Sequence, residues 1–239
     1  MKDRMVKFCL AASLLVVAVL FCPCLTPAHD LWLNVDNHYP EVNGKAGLRV
    51  VFGHNYPYYD ILLTREKLGE FACTAPDGRK AEITKIWEDK EGEKRGALAG
   101  EITFDKKGTY VVSARLEKKG DKEHVPSGKY AKSIVVVDGG TETMGNPLGH
   151  RIEILPLKNP SELRAGESIL VKISFEGKPL STYVYATYAG YHSETEPFPI
   201  FTKSDGEGLA HVPISQPGTW MIVANHKVDF SASLTFQVK

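Results

Sequence analysis

The chain is 239 residues long, and its 29 Lys plus Arg are matched by 29 Asp plus Glu, for a formal net charge of +0. That balance argues against nucleic acid and against an anionic membrane surface as partner, because both need a basic face. The length is enough for one or two hydrophobic cores.

Residues 1–7 are net positive and residues 8–22 form an apolar run. Such a run is too short for a comfortable membrane span and suits the core of a secretory signal. Thr26 and Ala28 supply the small residues for cleavage after Ala28, so the expected mature chain is exported, periplasmic, not membrane-spanning, and begins at His29. Lipid attachment is the alternative, but Cys22 and Cys24 follow Phe21 and Pro23 rather than a small residue. Cleavage removes Cys9, Cys22 and Cys24 and leaves Cys73, so no internal disulfide is expected.

From His29 onward, short stretches alternate apolar and polar residues between Gly, Pro, Asp and Asn. Asp30-Leu31-Trp32-Leu33-Asn34-Val35 reads as the first strand and residues 47–52 as the second. Tyr110, Val112, Ala114 and Leu116 share one face of a later strand, and Ile169, Val171, Ile173 and Phe175 share another. In residues 229–238 the face is Phe230, Ala232, Leu234, Phe236 and Val238. This period of two predicts half-buried antiparallel strands.

The order of elements repeats. Gly108-Thr109-Tyr110-Val111-Val112 answers Gly218-Thr219-Trp220-Met221-Ile222, and Lys45-Ala46-Gly47 answers Arg164-Ala165-Gly166 at nearly the same offset. A repeat of this length predicts an all-β fold of two Ig-like or transthyretin-like antiparallel β-sandwich modules in tandem. The expected divisions are a signal over 1–28, an N-terminal module over 29–138, a Gly-rich linker over 139–149 and a C-terminal module over 150–239.

The candidate chemistry lies in histidines. If the first two strands pair through the loop 36–46, Leu31 falls opposite Phe52, and His29 opposite His54. Cleavage before His29 also frees an α-amine. Amine, imidazole and the His54 ring then make three nitrogen donors for Ni, Co, Cu or Zn. The plain alternatives are an unstructured terminal residue and a turn-capping histidine. His150 opens the second module as His29 opens the first, but its partner position holds Glu176 or Gly177. His38, His124 and His211 read as structural or solvated residues and His192 as an exposed loop residue, while His226 reads as a polar strand terminus, with reach to the His150 end of the second module as the alternative. Tyr56, Tyr58 and Tyr59 suit a sugar-stacking surface, a wall beside an ion, or an ordinary loop.

Ala28-His29-Asp30-Leu31-Trp32-Leu33, Phe52-Gly53-His54 and Pro147-Leu148-Gly149-His150-Arg151-Ile152-Glu153 together resemble a bacterial family. It is a domain-of-unknown-function family described as the periplasmic component of cobalt and nickel ABC transport, or as a nickel-uptake substrate-specific family. The similarity runs along essentially the whole mature chain, through Gly177-Lys178-Pro179 and Pro217-Gly218-Thr219-Trp220. It implies a non-catalytic binder of a divalent transition metal ion, nickel or cobalt, with copper as competitor. The implied partners are membrane components of a metal ABC or energy-coupling transporter. His29, His54 and His150 carry over as metal-site residues; Tyr191-His192 departs from the pattern, and His192 does not. Two other classes stay open: a copper monooxygenase with an N-terminal histidine brace, and a metal-free carbohydrate-binding or adhesion module pair.

Overall fold

The computed structural model describes residues 29–121, 124–140, 146–193 and 195–239. The expected signal, its cleavage point and part of the expected linker, residues 141–145, lie outside the described residues. The first half forms β1 (Asp30–Val35), β2 (Lys45–Gly53), β3 (Asp60–Ile61), β4 (Glu70–Thr74), β5 (Lys80–Glu82), β6 (Ile86–Lys90), β7 (Arg95–Thr103), β8 (Gly108–Lys118) and β9 (Ser127–Val137). The second half forms β10 (Ile152–Pro156), β11 (Ser168–Phe175), β12 (Lys178–Pro179), β13 (Tyr183–Tyr188), β14 (Ile200–Lys203), β15 (Leu209–Pro213), β16 (Gly218–His226) and β17 (Phe230–Val238). Among the described residues no helix is long and apolar enough to cross a membrane.

The strands form Ig-like sandwiches in three layers. A five-stranded sheet contains β1, β2, β3, β7 and β6, and a four-stranded sheet contains β10, β11, β12 and β15. Between them lies an eight-stranded sheet in the order β14-β13-β16-β17-β9-β8-β4-β5. Side chains of one strand alternate between faces, and β9 uses both. Its Ala131, Val135 and Val137 enter a core with Leu31, Leu33, Leu48 and Phe71. Its Tyr130, Ile134 and Val136 enter another with Ile152, Ile154, Val171 and Trp220. The repeat seen in the sequence reappears at Gly108 (φ 132°) and Gly218 (φ 123°), which open β8 and β16 in a conformation that glycine adopts without strain.

The last strand departs from the half-buried, antiparallel expectation. β17 pairs antiparallel with β16 but parallel with β9, from Phe230 opposite Gly128 to Thr235 opposite Ser133. Both of its faces are covered. Ala232, Leu234 and Phe236 fill the second core, while Ser231, Ser233 and Thr235 are buried on the other face. There Ser233 Oγ donates to the Leu31 carbonyl at 2.6 Å and Thr235 Oγ1 to the Leu33 carbonyl at 2.8 Å. Those carbonyls lie on β1, the edge of its sheet. A buried edge must find partners for its backbone groups, and the hydroxyls supply them where alternation alone reads a solvent face.

Candidate functional site

Strand register positions the first two candidate residues. Leu31 pairs with Phe52 and Asp30 with Gly53, so His29 and His54 meet one step further out. Their ring centroids are 3.9 Å apart at an interplanar angle of 47°, and His29 also stacks on Phe52 at 4.9 Å. His54 is held from behind: its Nδ1 lies 2.9 Å from Asp60 Oδ2, which also accepts from the His54 backbone N–H at 3.2 Å. Gly53 permits this approach, since a Cβ there would fall 2.4 Å from the Asp60 Cβ. With Nδ1–H donated to the carboxylate, Nε2 is left as the free donor, the arrangement by which proteins orient metal-ligating imidazoles.

The local electrostatics favour the neutral form of the His29 ring. Burial, and then the neighbouring His54, lower the His29 pKa from 6.5 against an opposing pull from Asp60. A neutral imidazole is the coordinating form. Beneath the pair, burial pushes the Asp30 carboxyl up to about 6 despite the proximity of Lys129. Burial likewise lowers Lys129, whose Nζ donates to Ser231 Oγ at 3.2 Å.

Asp30 and His54 open onto a groove of about 610 Å3 whose far wall is Tyr185, Phe198, Phe201 and Asn225. Tyr185 lies 5.5 Å from Phe198 and 5.3 Å from Phe201, with planes tilted by 48° and 60°. These rings form a corner rather than a flat platform. Among the described residues no three His, Cys, Asp or Glu side chains converge as a metal cage. The third nitrogen that the sequence points to is a main-chain amine at His29.

The structure does not bring His150 to this pair. Glu70, Ser113 and Lys132 alternate with Phe71, Val112 and Ala131 of the first core, so they project from the opposite face of the central sheet. His150 sits on that face, its Nε2 3.2 Å from Glu70 Oε1 and its ring 5.1 Å from Tyr130. Glu70 also accepts from Lys80 Nζ at 2.7 Å and Ser113 Oγ at 2.5 Å, while Lys132 Nζ meets Glu153 Oε1 at 2.8 Å. Burial alone would raise the Glu70 carboxyl; the bonds from His150, Lys80 and Ser113 outweigh it and hold the group well below the usual carboxylate range. Register explains the difference between modules. Ile152 pairs with Phe175, so Arg151 meets Glu176, which accepts from Arg151 Nη2 at 2.5 Å, and glycine stands opposite His150.

Asp60 and the aromatic groove escaped the sequence reading. Asp60 follows His54 by six residues and opens β3, after a loop in which the tyrosines are the conspicuous residues. Of these, Tyr56 is buried against Trp32, Tyr59 donates to Asp89 Oδ2 at 2.7 Å, and Tyr58 is 54% exposed. His226 stacks on Phe175 at 3.9 Å, and buried His38 places Nδ1 2.7 Å from the Ile134 carbonyl, as structural residues do. His192 lines a second groove with Tyr58 and Tyr191.

Fold and site together define an all-β protein of Ig-like sandwiches with paired imidazoles beside a groove lined by residues of both halves of the chain. The chain belongs to the family described as domain of unknown function DUF4198, whose match spans residues 26–228. No curated protein matches it. Among solved structures it is similar to the D0–D1 domains of intimin, at 16% identity over 86% of this chain and 96% of that one, with a TM-score of 0.28. It is also similar to the mouse nectin-like molecule 4 ectodomain, at 15% identity over 88% of this chain and 64% of that one, TM-score 0.25. A third is the Yersinia pseudotuberculosis adhesin InvE, at 10% identity over 88% and 58%, TM-score 0.27. The chain spans less than two thirds of the latter two.

Proposed function

We propose that the mature chain is an exported, non-catalytic binder of a divalent transition metal ion, nickel or cobalt, serving a metal uptake system. The observation that carries this reading is the His29–His54 ring contact, with His54 anchored through Nδ1 on Asp60. Cleavage after Ala28 would add the α-amine of His29, a group of ordinary pKa about 7.7 to 8.0 whose proton a metal displaces. Three nitrogens suit nickel, cobalt, copper or zinc, and the intrinsic order favours copper, so preference for nickel or cobalt must come from ion supply. The receiving partner, on the family resemblance, is the membrane part of a metal ABC or energy-coupling transporter.

Titration calorimetry with nickel(II) and cobalt(II) tests the reading. Protein beginning at His29 is compared with His54→Ala and with protein carrying one extra residue before His29. Each change should weaken binding by about 100-fold or more, since each removes a direct ligand. Affinities equal across all three proteins would end it.

A further inference from the structure

We propose that the groove beside the histidine pair holds an organic chelator of the α-amino-acid class, so that the ion is bound as a chelate with an apolar side chain lying against the aromatic wall. This rests on the metal reading of His29 and His54 and extends it to the ligand that completes the site.

Three nitrogens leave a nickel ion short of its square-planar or octahedral complement. Among the described residues no further His, Cys, Asp or Glu side chain joins the pair, so the remaining positions call for donors from outside the protein. The groove of about 610 Å3 reaches His54 itself. That volume is in the range of small-molecule sites and far above the roughly 30 Å3 of one water. Its far wall is apolar where solvent would favour polar residues: Phe201 is 61% exposed although it stacks on Tyr183 at 4.9 Å and leans on Tyr185 at 5.3 Å. Tilted at 48° and 60° about Tyr185, the Phe198 and Phe201 rings form an apolar corner suited to one compact apolar group.

Charge narrows the class. Asp30 and Glu196 both line the groove, and a polycarboxylate would meet them with excess negative charge. An α-amino acid spends its carboxylate and its amine on the ion and presents a neutral tail to the rings. Asn225, at the same wall, offers an amide to any remaining polar atom.

Calorimetry on protein beginning at His29 decides the matter under three conditions: nickel(II) alone, with glycine, and with L-phenylalanine. Glycine has the same chelating head and no side chain. Nickel should bind about tenfold more tightly with phenylalanine than with glycine, the contribution of one buried benzyl group. Phe198→Ala and Phe201→Ala should erase that difference while leaving the affinity for nickel alone unchanged; Phe201 is exposed enough for its removal to spare the fold. Nickel bound alone and lost in His54→Ala, but indifferent to the amino acid or to both phenylalanine variants, overturns this inference and leaves the metal reading standing. No nickel uptake under any condition overturns both.

Discussion

Asp60 touches a ring rather than the place where an ion would sit, and its influence is exerted through the His54 tautomer. Replacing it with Asn keeps an acceptor near Nδ1 but removes the charge that makes Nε2 a stronger donor, so Asp60→Asn should cost about tenfold in nickel affinity by calorimetry. An unchanged affinity would show that the anchor is incidental. Asp30 makes a different prediction, about pH. Its carboxyl titrates at about 6 in the folded chain against an ordinary 3.8. Between those values the native state holds a proton that the unfolded state has released, so stability declines as pH rises through this window and is flat above it. Two pH units correspond to about 3 kcal/mol, and partial exposure reduces this to about 2. Between roughly pH 4 and pH 7, metal-free Asp30→Asn should therefore gain about 2 kcal/mol on the parent protein, read from urea midpoints; parallel profiles would refute burial as the cause. The pairing of His29 with His54 was legible because two alternating strands and one loop leave a single register that buries Leu31 and Leu33. The groove was not, because Asp30 and Tyr185 come from different modules and no local pattern links them.

At the scale of elements, the polar residues on buried faces are clasps between layers. His150, Glu70 and Ser113 tie the segment before β10 to the central sheet, and Lys132 with Glu153 does the same one step along. His150→Ala would leave the Glu70 carboxylate short of a partner in a site where its side chain is 12% exposed. A loss of about 2 kcal/mol in stability is expected, with nickel affinity unchanged; a tenfold loss of affinity would instead make His150 a ligand. The Glu70 carboxyl is held low in the native state, so its contribution is present at neutral pH and disappears as pH falls through the acid range. Alternation in the sequence identified the inward face of β17 correctly through Ala232, Leu234 and Phe236. It could not reveal that Ser233 and Thr235 are equally buried, because hydroxyls that cap a sheet edge look like hydroxyls that face water.

For the whole molecule, the repeat in sequence suggests two separable sandwiches, whereas the strands join them into one. β9 contributes to both cores, and β17 pairs with it across 102 residues at Ser133 and Thr235. Parallel pairing at that separation leaves no turn signature to read. Trp32, Val51 and Tyr56 of the first half of the chain pack directly on Met221 and Val223 of the second, and Val223 also lines the groove. A module pulled away would thus take half of the site with it, and the unfolding of either should expose the core of the other. Urea denaturation is expected to show one transition, with far-UV circular dichroism and tryptophan fluorescence coincident and a slope of about 3 kcal/mol/M for a chain of this size. Trp32 lies at the seam and Trp220 in the second core, so the two rings sample different parts of the structure. Met221→Ala removes buried volume from the seam alone and should shift both signals together by about 2 to 3 kcal/mol. Two resolved transitions, or a Met221→Ala shift seen by only one probe, would mean that the central sheet does not couple the modules, and that the groove between them opens without unfolding either.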